Sequence, residues 1–397
     1  MKAIPRTVWI LGIVSLLTDA SSEMIYPLLP IFLSQTLGAS ALALGAMEGL
    51  AEATASILKL FSGIWADRVR HRKPFLIAGY GLAGMVRPLI GLAPSWGVVL
   101  ALRISDRIGK GLRSSPRDAL IADATPAHQR GLAYGFHRSM DHAGAVAGPL
   151  IAGTLLMFGT SLRNVFLLAA IPAALTLLVL IFGLKEPQRE LPKEDTSSGR
   201  ASPEGGVRAP LSFSFKWLLA AILIFTLGNS TDAFLLLKLS DSGISAGTVA
   251  TLWSLHHVVK LIATYWGGRA SDRFGRKWLI FAGWIFYALI YLGFAWSEGK
   301  TEIILLFLGY GIYYGLTEPV EKALVADLAP KTARGTAFGY YHFIIGLGAL
   351  PASLIFGWVW HRFGSGAAFS LGAGLSALAA VLLLFMPVAN HQRETST

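Results

Sequence analysis

The chain has 397 residues, of which 54% are hydrophobic and 14% charged, with a mean hydropathy of +0.56. A soluble domain of this length needs a charged shell, so the composition excludes one and selects lipid as the solvent. The net charge of +11 is no nucleic-acid signature, because Lys and Arg gather in alternate connections such as Arg68–Lys73 and Arg273–Lys277, and the lack of Cys excludes disulfides, thiolate metal sites and cysteine nucleophiles.

Apolar stretches recur from Val8 to Pro387, separated by short polar breaks. They are long enough for a hydrocarbon core of about 30 Å, which takes about 20 residues per helix. Each is predicted to be helical, since lipid satisfies no backbone polar group. Val8–Leu17 follows Lys2 and Arg6 in the manner of a signal peptide, but apolar sequence resumes after Glu23 without a cleavage site. It reads as a retained first helix. The basic connections alternate with short ones nearly free of Lys and Arg, at 34–40, 92–95, 240–247 and 297–301. That asymmetry predicts an even number of helices, about a dozen, with both termini in the cytoplasm.

Ionisable residues inside these helices cost about 2.5–3.5 kcal/mol each, so each is a functional candidate by default. Asp19 and Glu23 lie four apart on one face of helix one, about halfway across, and Glu48 and Glu52 repeat the spacing near the outer end of helix two. Helix four carries a basic stripe of Arg103, Arg107 and Lys110, extended by Arg113 and Arg117, with Asp106 beside it. Helix five adds His137, Arg138, Asp141 and His142, and a carboxylate next to an imidazole is a candidate proton relay. The one long interruption, 185–212, mixes Glu, Lys, Arg, Pro, Ser and Gly and reads as a cytoplasmic linker between residues 1–184 and 213–397. Beyond it lie Asp232, His256, His257, Lys260, Glu318, Glu321 and His342. Tyr313 and Tyr314 fall near the expected midplane, where a phenol offers a solute a hydrogen bond and a ring face. No His pair has the four-residue spacing that puts two ligands on one helical face, and HExxH is absent, so neither a metal, a cofactor nor an enzyme is expected.

The two sides of the interruption repeat each other. Asp118-Ala-Leu-Ile-Ala-Asp123 returns as Lys322-Ala-Leu-Val-Ala-Asp327, and Arg130-Gly-Leu-Ala-Tyr-Gly135 as Arg334-Gly-Thr-Ala-Phe-Gly339, both at an offset of 204. Gly63-Ile-Trp-Ala-Asp67-Arg68 returns as Gly268-Arg-Ala-Ser-Asp272-Arg273 at an offset of 205. Asp67 and Asp272 each close a helix at a basic loop, which suits a charge latch on the positive N-terminal end of a neighbouring helix. Gly144 and Gly148 bare one face of helix five to a close neighbour, and Pro149 adds a kink point.

These residues resemble the major facilitator superfamily of secondary transporters, and the resemblance covers essentially the whole chain. The family's loop signature appears as Gly268, Asp272, Arg273, Gly275, Arg276 and Lys277, and in the first half as Gly63, Asp67, Arg68, Arg72 and Lys73, with Arg70 where Gly is usual. Arg103, Gly109 and Gly111 fit the helix-four register of proton-coupled members, although Asp106 and Arg107 stand where Gln and Gly are usual, and Gly144, Gly148, Pro149 and Gly153 match the helix-five signature of exchangers. The resemblance implies an all-α membrane protein of 12 transmembrane helices in two pseudo-symmetric six-helix bundles, close to the bacterial drug/proton antiporters. It places Asp19, Glu23, Arg103, Arg107, Asp232 and Glu318 around a central cavity, to which Lys110, Tyr313 and Tyr314 are added as solute contacts. Asp19, Glu23, Asp141 and His142 are the proton-coupling candidates. Gly63, Asp67, Arg68, Gly268, Asp272, Arg273, Gly144, Gly148 and Pro149 are the gating candidates. The expected function is export of a small polar, charged or amphiphilic solute by proton antiport, in a bacterial inner membrane, by a monomer. Proton-coupled uptake of a polar metabolite is the alternative, with a channel or intramembrane enzyme more remote.

Overall fold

The computed structural model describes residues 4–29, 32–38, 41–186 and 211–387. Of the expected linker, residues 187–210 lie outside the described residues. Among the described residues twelve helices follow in order: α1 (Arg6–Glu23), α2 (Ala41–Ala66), α3 (Lys73–Leu89), α4 (Trp96–Ala124), α5 (Arg130–Met157), α6 in two pieces (Leu162–Leu168 and Ala170–Leu178), α7 in two pieces (Phe213–Gly228 and Ala233–Asp241), α8 (Ala246–Phe274), α9 (Arg276–Trp296), α10 (Lys300–Leu328), α11 (Arg334–Phe363) and α12 (Ser365–Leu384). Ser161, Ser212 and Ser245 start α6, α7 and α8 by accepting a bond from the backbone N–H three residues on. Gly275 and Gly364, at φ 89° and 86°, end α8 and α11 in the left-handed region that favours glycine.

Eight of these helices are apolar enough on their own to cross a membrane; α2, α4, α5 and α8 are not. Those four carry much of the buried charge: Lys59, Arg103, Asp106, Arg113, Asp118, Asp141 and Lys260 are all at most 9% exposed. Low hydropathy here marks helices that turn their charges to protein rather than lipid, which is the only affordable orientation. Across the two halves, α5 packs along α8 and α2 along α11. The approach is backbone to backbone: a Cβ on Gly63 would overlap the Gly335 carbonyl, and one on Gly268 that of Gly131.

The sequence repeat is a spatial pseudo-twofold. Lys73 Nζ donates to the carbonyls of Ile181 and Leu184 at the end of α6, and Lys277 Nζ to those of Leu384 and Met386 at the end of α12. Two pairs of repeat-related residues meet each other on the axis. The rings of Tyr134 and Phe338 lie 5.9 Å apart, and Lys322 Nζ sits 3.2 Å from the carboxylate of Asp118. Asp118 is fully buried and also takes His342 Nε2 at 2.9 Å and Arg117 at 3.1 Å. Asp118→Asn is expected to leave Lys322 buried without a carboxylate and to cost about 3 kcal/mol or more, read as a clear fall in the thermal unfolding midpoint of the detergent-purified protein.

Candidate functional site

At the end that carries the basic loops, the halves are joined by two reciprocal clasps. Asp67, at the end of α2, accepts from the amides of Gly335 and Thr336 at the N-terminus of α11, at 2.9 and 2.6 Å. Asp272, near the end of α8, accepts from Gly131 and Leu132 at the N-terminus of α5, at 2.9 and 2.8 Å. A carboxylate on a helix N-terminus satisfies orphan amides and meets the positive end of the dipole. Each clasp is doubled by arginines. Arg72 binds Asp67 at 2.9 Å and also Asp123, while Arg276 binds Asp272 at 2.7 Å and Asp327 at 2.6 Å. Arg334 and Arg130, the first residues of α11 and α5, bond Asp123 and Asp327 of the opposite half at 2.6 Å each. Arg68 and Arg273, singled out from the sequence, are exposed and take no part in the clasps; Arg72 and Arg276 do that work. The equivalence of Arg72 with Arg276 also locates the change of repeat offset from 205 to 204, which is one extra residue in the first-half loop. Arg70 therefore needs no left-handed backbone, and no non-glycine residue among those described has positive φ.

Above the clasps the first-half charges divide into paired and unpaired groups. Asp106, 1% exposed, is held by Arg87 Nε at 2.7 Å and Arg103 at 3.2 Å, and Arg87 also donates to the Thr18 carbonyl. Arg103 lies 3.6 Å over the Tyr26 ring; Arg107 bonds the Tyr26 hydroxyl and approaches Glu52 at 3.8 Å. Glu52 also takes Lys59 at 3.5 Å and, with its side chain 46% exposed, meets both the basic stripe and solvent. The side chain of Glu48 lies outside the described residues. Lys110, half-buried, continues the stripe.

Asp19 and Glu23 are half-buried on α1, and neither carboxylate has a hydrogen-bond or ion-pair partner among the described residues. Their position is set by glycines of α5. A Cβ on Gly144 would come 2.9 Å from the Asp19 Cβ, and one on Gly148 2.8 Å from the Glu23 Cβ. Pro149 follows inside a helix that runs unbroken from Arg130 to Met157. One turn earlier Asp141 takes Ser15 Oγ, Arg138 at 2.8 Å and His137 at 3.9 Å. The structure does not bring Asp141 and His142 together: neighbours in a helix point about 100° apart, and the His142 ring faces His257 at 5.7 Å. Arg138 reaches across the halves to Glu318 at 2.6 Å.

In the second half the break in α7 presents Asp232, whose carboxylate accepts from Tyr310 at 3.1 Å and Tyr314 at 3.2 Å and pairs with Lys260 at 3.4 Å. Tyr314 is half-buried, whereas Tyr313 is 5% exposed and its hydroxyl accepts from Asn229. Glu321, absent from the expected site, is buried with one oxygen on Trp284 Nε1 at 3.1 Å and the other on the Tyr341 hydroxyl at 3.0 Å, and has no cation in ion-pair range among the described residues. Its sequence signal was that of any ionisable residue inside an apolar helix.

A sequence model described as Major Facilitator Superfamily matches residues 11–255 and 218–397. An MFS-type transporter of Methanocaldococcus jannaschii is 33% identical over 392 residues, spanning 97% of this chain and 96% of that protein. A multi-drug resistance efflux pump PmrA homolog of Lactococcus lactis subsp. lactis is 24% identical over 404 residues, spanning 98% and 97%. Among solved structures, the human organic anion transporter MFSD10 superposes with a TM-score of 0.80 at 18% identity, over 95% of this chain and 99% of that one.

The clasps predict a measurable opening. Each carboxylate contributes charge-assisted bonds of about 1.5–3 kcal/mol, so Asp67→Asn with Asp272→Asn is expected to loosen this end. The chain has no Cys, so one introduced at the buried Ala333 should label with maleimide several-fold faster in the double variant; unchanged labelling would show that the carboxylates do not hold the halves.

Proposed function

We propose a direction and a coupling ion for this chain, which belongs to the Major Facilitator Superfamily and is a secondary transporter of small molecules across a membrane. It works as a proton-coupled antiporter that exports a polar, charged or amphiphilic solute by alternating access. The observation that carries this reading is the pair of half-buried carboxylates Asp19 and Glu23, pressed against the α5 glycines and without a hydrogen-bond or ion-pair partner among the described residues. A carboxylate without a fixed partner is free to exchange a proton for a different charge. Protonation there changes the net charge facing the basic stripe, and a solute that prefers the deprotonated acids then competes with the proton. Asp141 serves this cycle as the fixed partner of Arg138, and the Arg138–Glu318 bridge links its state to the second half.

The closed clasps lie at the end with the basic loops, which supports placing that end and both termini in the cytoplasm, here of a bacterial inner membrane. A monomer is the proposed working unit. Export is favoured by the helix-five Gly-Pro pattern and by the efflux function named for the Lactococcus relative.

The experiment is transport in everted membrane vesicles of a labelled solute, identified by a thermal-shift screen of metabolites, drugs and metal chelates. An acid interior should drive uptake, and an acid exterior should not; the reverse pattern would establish proton-linked uptake instead. Asp19→Asn with Glu23→Gln is expected to reduce gradient-driven transport at least about tenfold, about 1.4 kcal/mol of coupling. Full retention of gradient-driven transport would remove both residues from the coupling site.

A further inference from the structure

The second half holds an ammonium ion in an aromatic setting, and the ion is its own. Lys260 Nζ lies 3.7 Å from the centroid of the Tyr314 ring and 5.6 Å from that of Trp253. The same nitrogen is 3.4 Å from Asp232 Oδ2, longer than the 2.7–2.9 Å usual for a charge-assisted bond. The tighter positions on that carboxylate belong to the hydroxyls of Tyr310 and Tyr314. His256, fully buried, stacks parallel to Tyr310 at 5.5 Å on the side of the cage. Two ring faces and one carboxylate are the elements that recognise organic ammonium groups. The Lys260 side chain is 5% exposed and that of Asp232 22% exposed, with Trp253 and Tyr314 half-buried. The anion and the ring faces are thus more open than the cation that fills them.

We propose that Asp232, Tyr314 and Trp253 form a binding subsite for a solute ammonium group, and that Lys260 is its tethered occupant, displaced when such a solute enters. This rests on the reading of the chain as a solute carrier and adds the class of solute. The exchange replaces one cation by another, so Asp232 stays neutralised throughout. A tethered competitor acts at an effective concentration of about millimolar or more, so the native cage binds free ammonium ions weakly.

The test is chemical rescue on the full-length purified protein. Lys260→Ala empties the cage and leaves Asp232 without its cation, which is expected to lower the unfolding temperature. Methylammonium and tetramethylammonium chloride should then restore stability beyond equal sodium chloride, with an apparent affinity at least about tenfold tighter than for the native protein. The double variant Asp232→Asn/Lys260→Ala should show no ammonium dependence. If Lys260→Ala does not fold, Lys260→Gln keeps a hydrogen bond to Asp232 and takes its place in the same measurement. No ammonium effect beyond salt, or an equal effect in the double variant, overturns the subsite. Loss of rescue with vesicle transport intact removes the cage alone, and rescue without gradient-driven transport upholds the cage while sinking the antiport reading.

Discussion

Two carboxylates seated on two helix N-termini hold this molecule in the form observed. Asp67 on the amides of Gly335 and Thr336, and Asp272 on those of Gly131 and Leu132, make the same bond twice across the boundary between the halves. A carboxylate accepting two backbone amides is directional and strong, yet nothing in it is covalent, so it closes firmly and still reopens. Glycine at 63, 131, 268 and 335 brings the backbones near enough for the bond to form. Both clasps sit at one end, and away from them lies an interior that holds Arg103, Asp106, Asp141 and Lys260, each at most 4% exposed.

Inside that space the two halves solve the problem of buried charge differently. The first half pairs it: Asp106 is locked between Arg87 and Arg103, and Tyr26 offers its ring to Arg103 and its hydroxyl to Arg107. The second half uses phenols and indoles, surrounding Asp232 and Lys260 with Tyr310, Tyr314 and Trp253. Locked pairs resist titration and exchange because breaking one leaves an uncompensated charge. Among the described residues Asp19 and Glu23 stand outside every such pair, which is why the exchangeable proton is proposed for them and not for Asp106 or Asp141.

Much of this was written in the sequence. The repeat offset predicted the two halves, and the family resemblance, the twelve helices and the membrane setting are borne out by the fold and the matched relatives. Hydropathy by itself recovers eight helices, since α2, α4, α5 and α8 trade apolar residues for charges that only tertiary packing can shelter. The one-residue change of offset was visible, but its meaning was not, because only contacts identify Arg72 with Arg276. Pairings across helices were equally hidden. Glu52 with Arg107, Arg138 with Glu318, and Glu321 with Trp284 and Tyr341 are 20 to 180 residues apart and follow no helical period. Local adjacency misled at Asp141 and His142, where consecutive positions point to different neighbours.

The pattern of kept and broken symmetry separates the clasps from the charges deeper in the bundles. A duplicated chain with unchanged sequence would set Asp118 against its own copy on the axis, two buried like charges that repel; lysine at 322 turns that repulsion into a bridge. One turn from it the equivalence fails again, since Arg138 reaches Glu318 whereas its repeat partner His342 reaches Asp118. Toward the loops the correspondence is restored in full, down to Lys73 and Lys277 tying off α6 and α12. A small solute has no twofold symmetry, so a site that recognises it gains from unlike walls, while a closure operated by two equal bundles gains from like ones. The clasps kept their duplication, whereas Arg103 and Arg107 on one side and Asp232, Lys260 and Tyr314 on the other are not repeated, which suits the proposed role of these residues in discriminating between solutes.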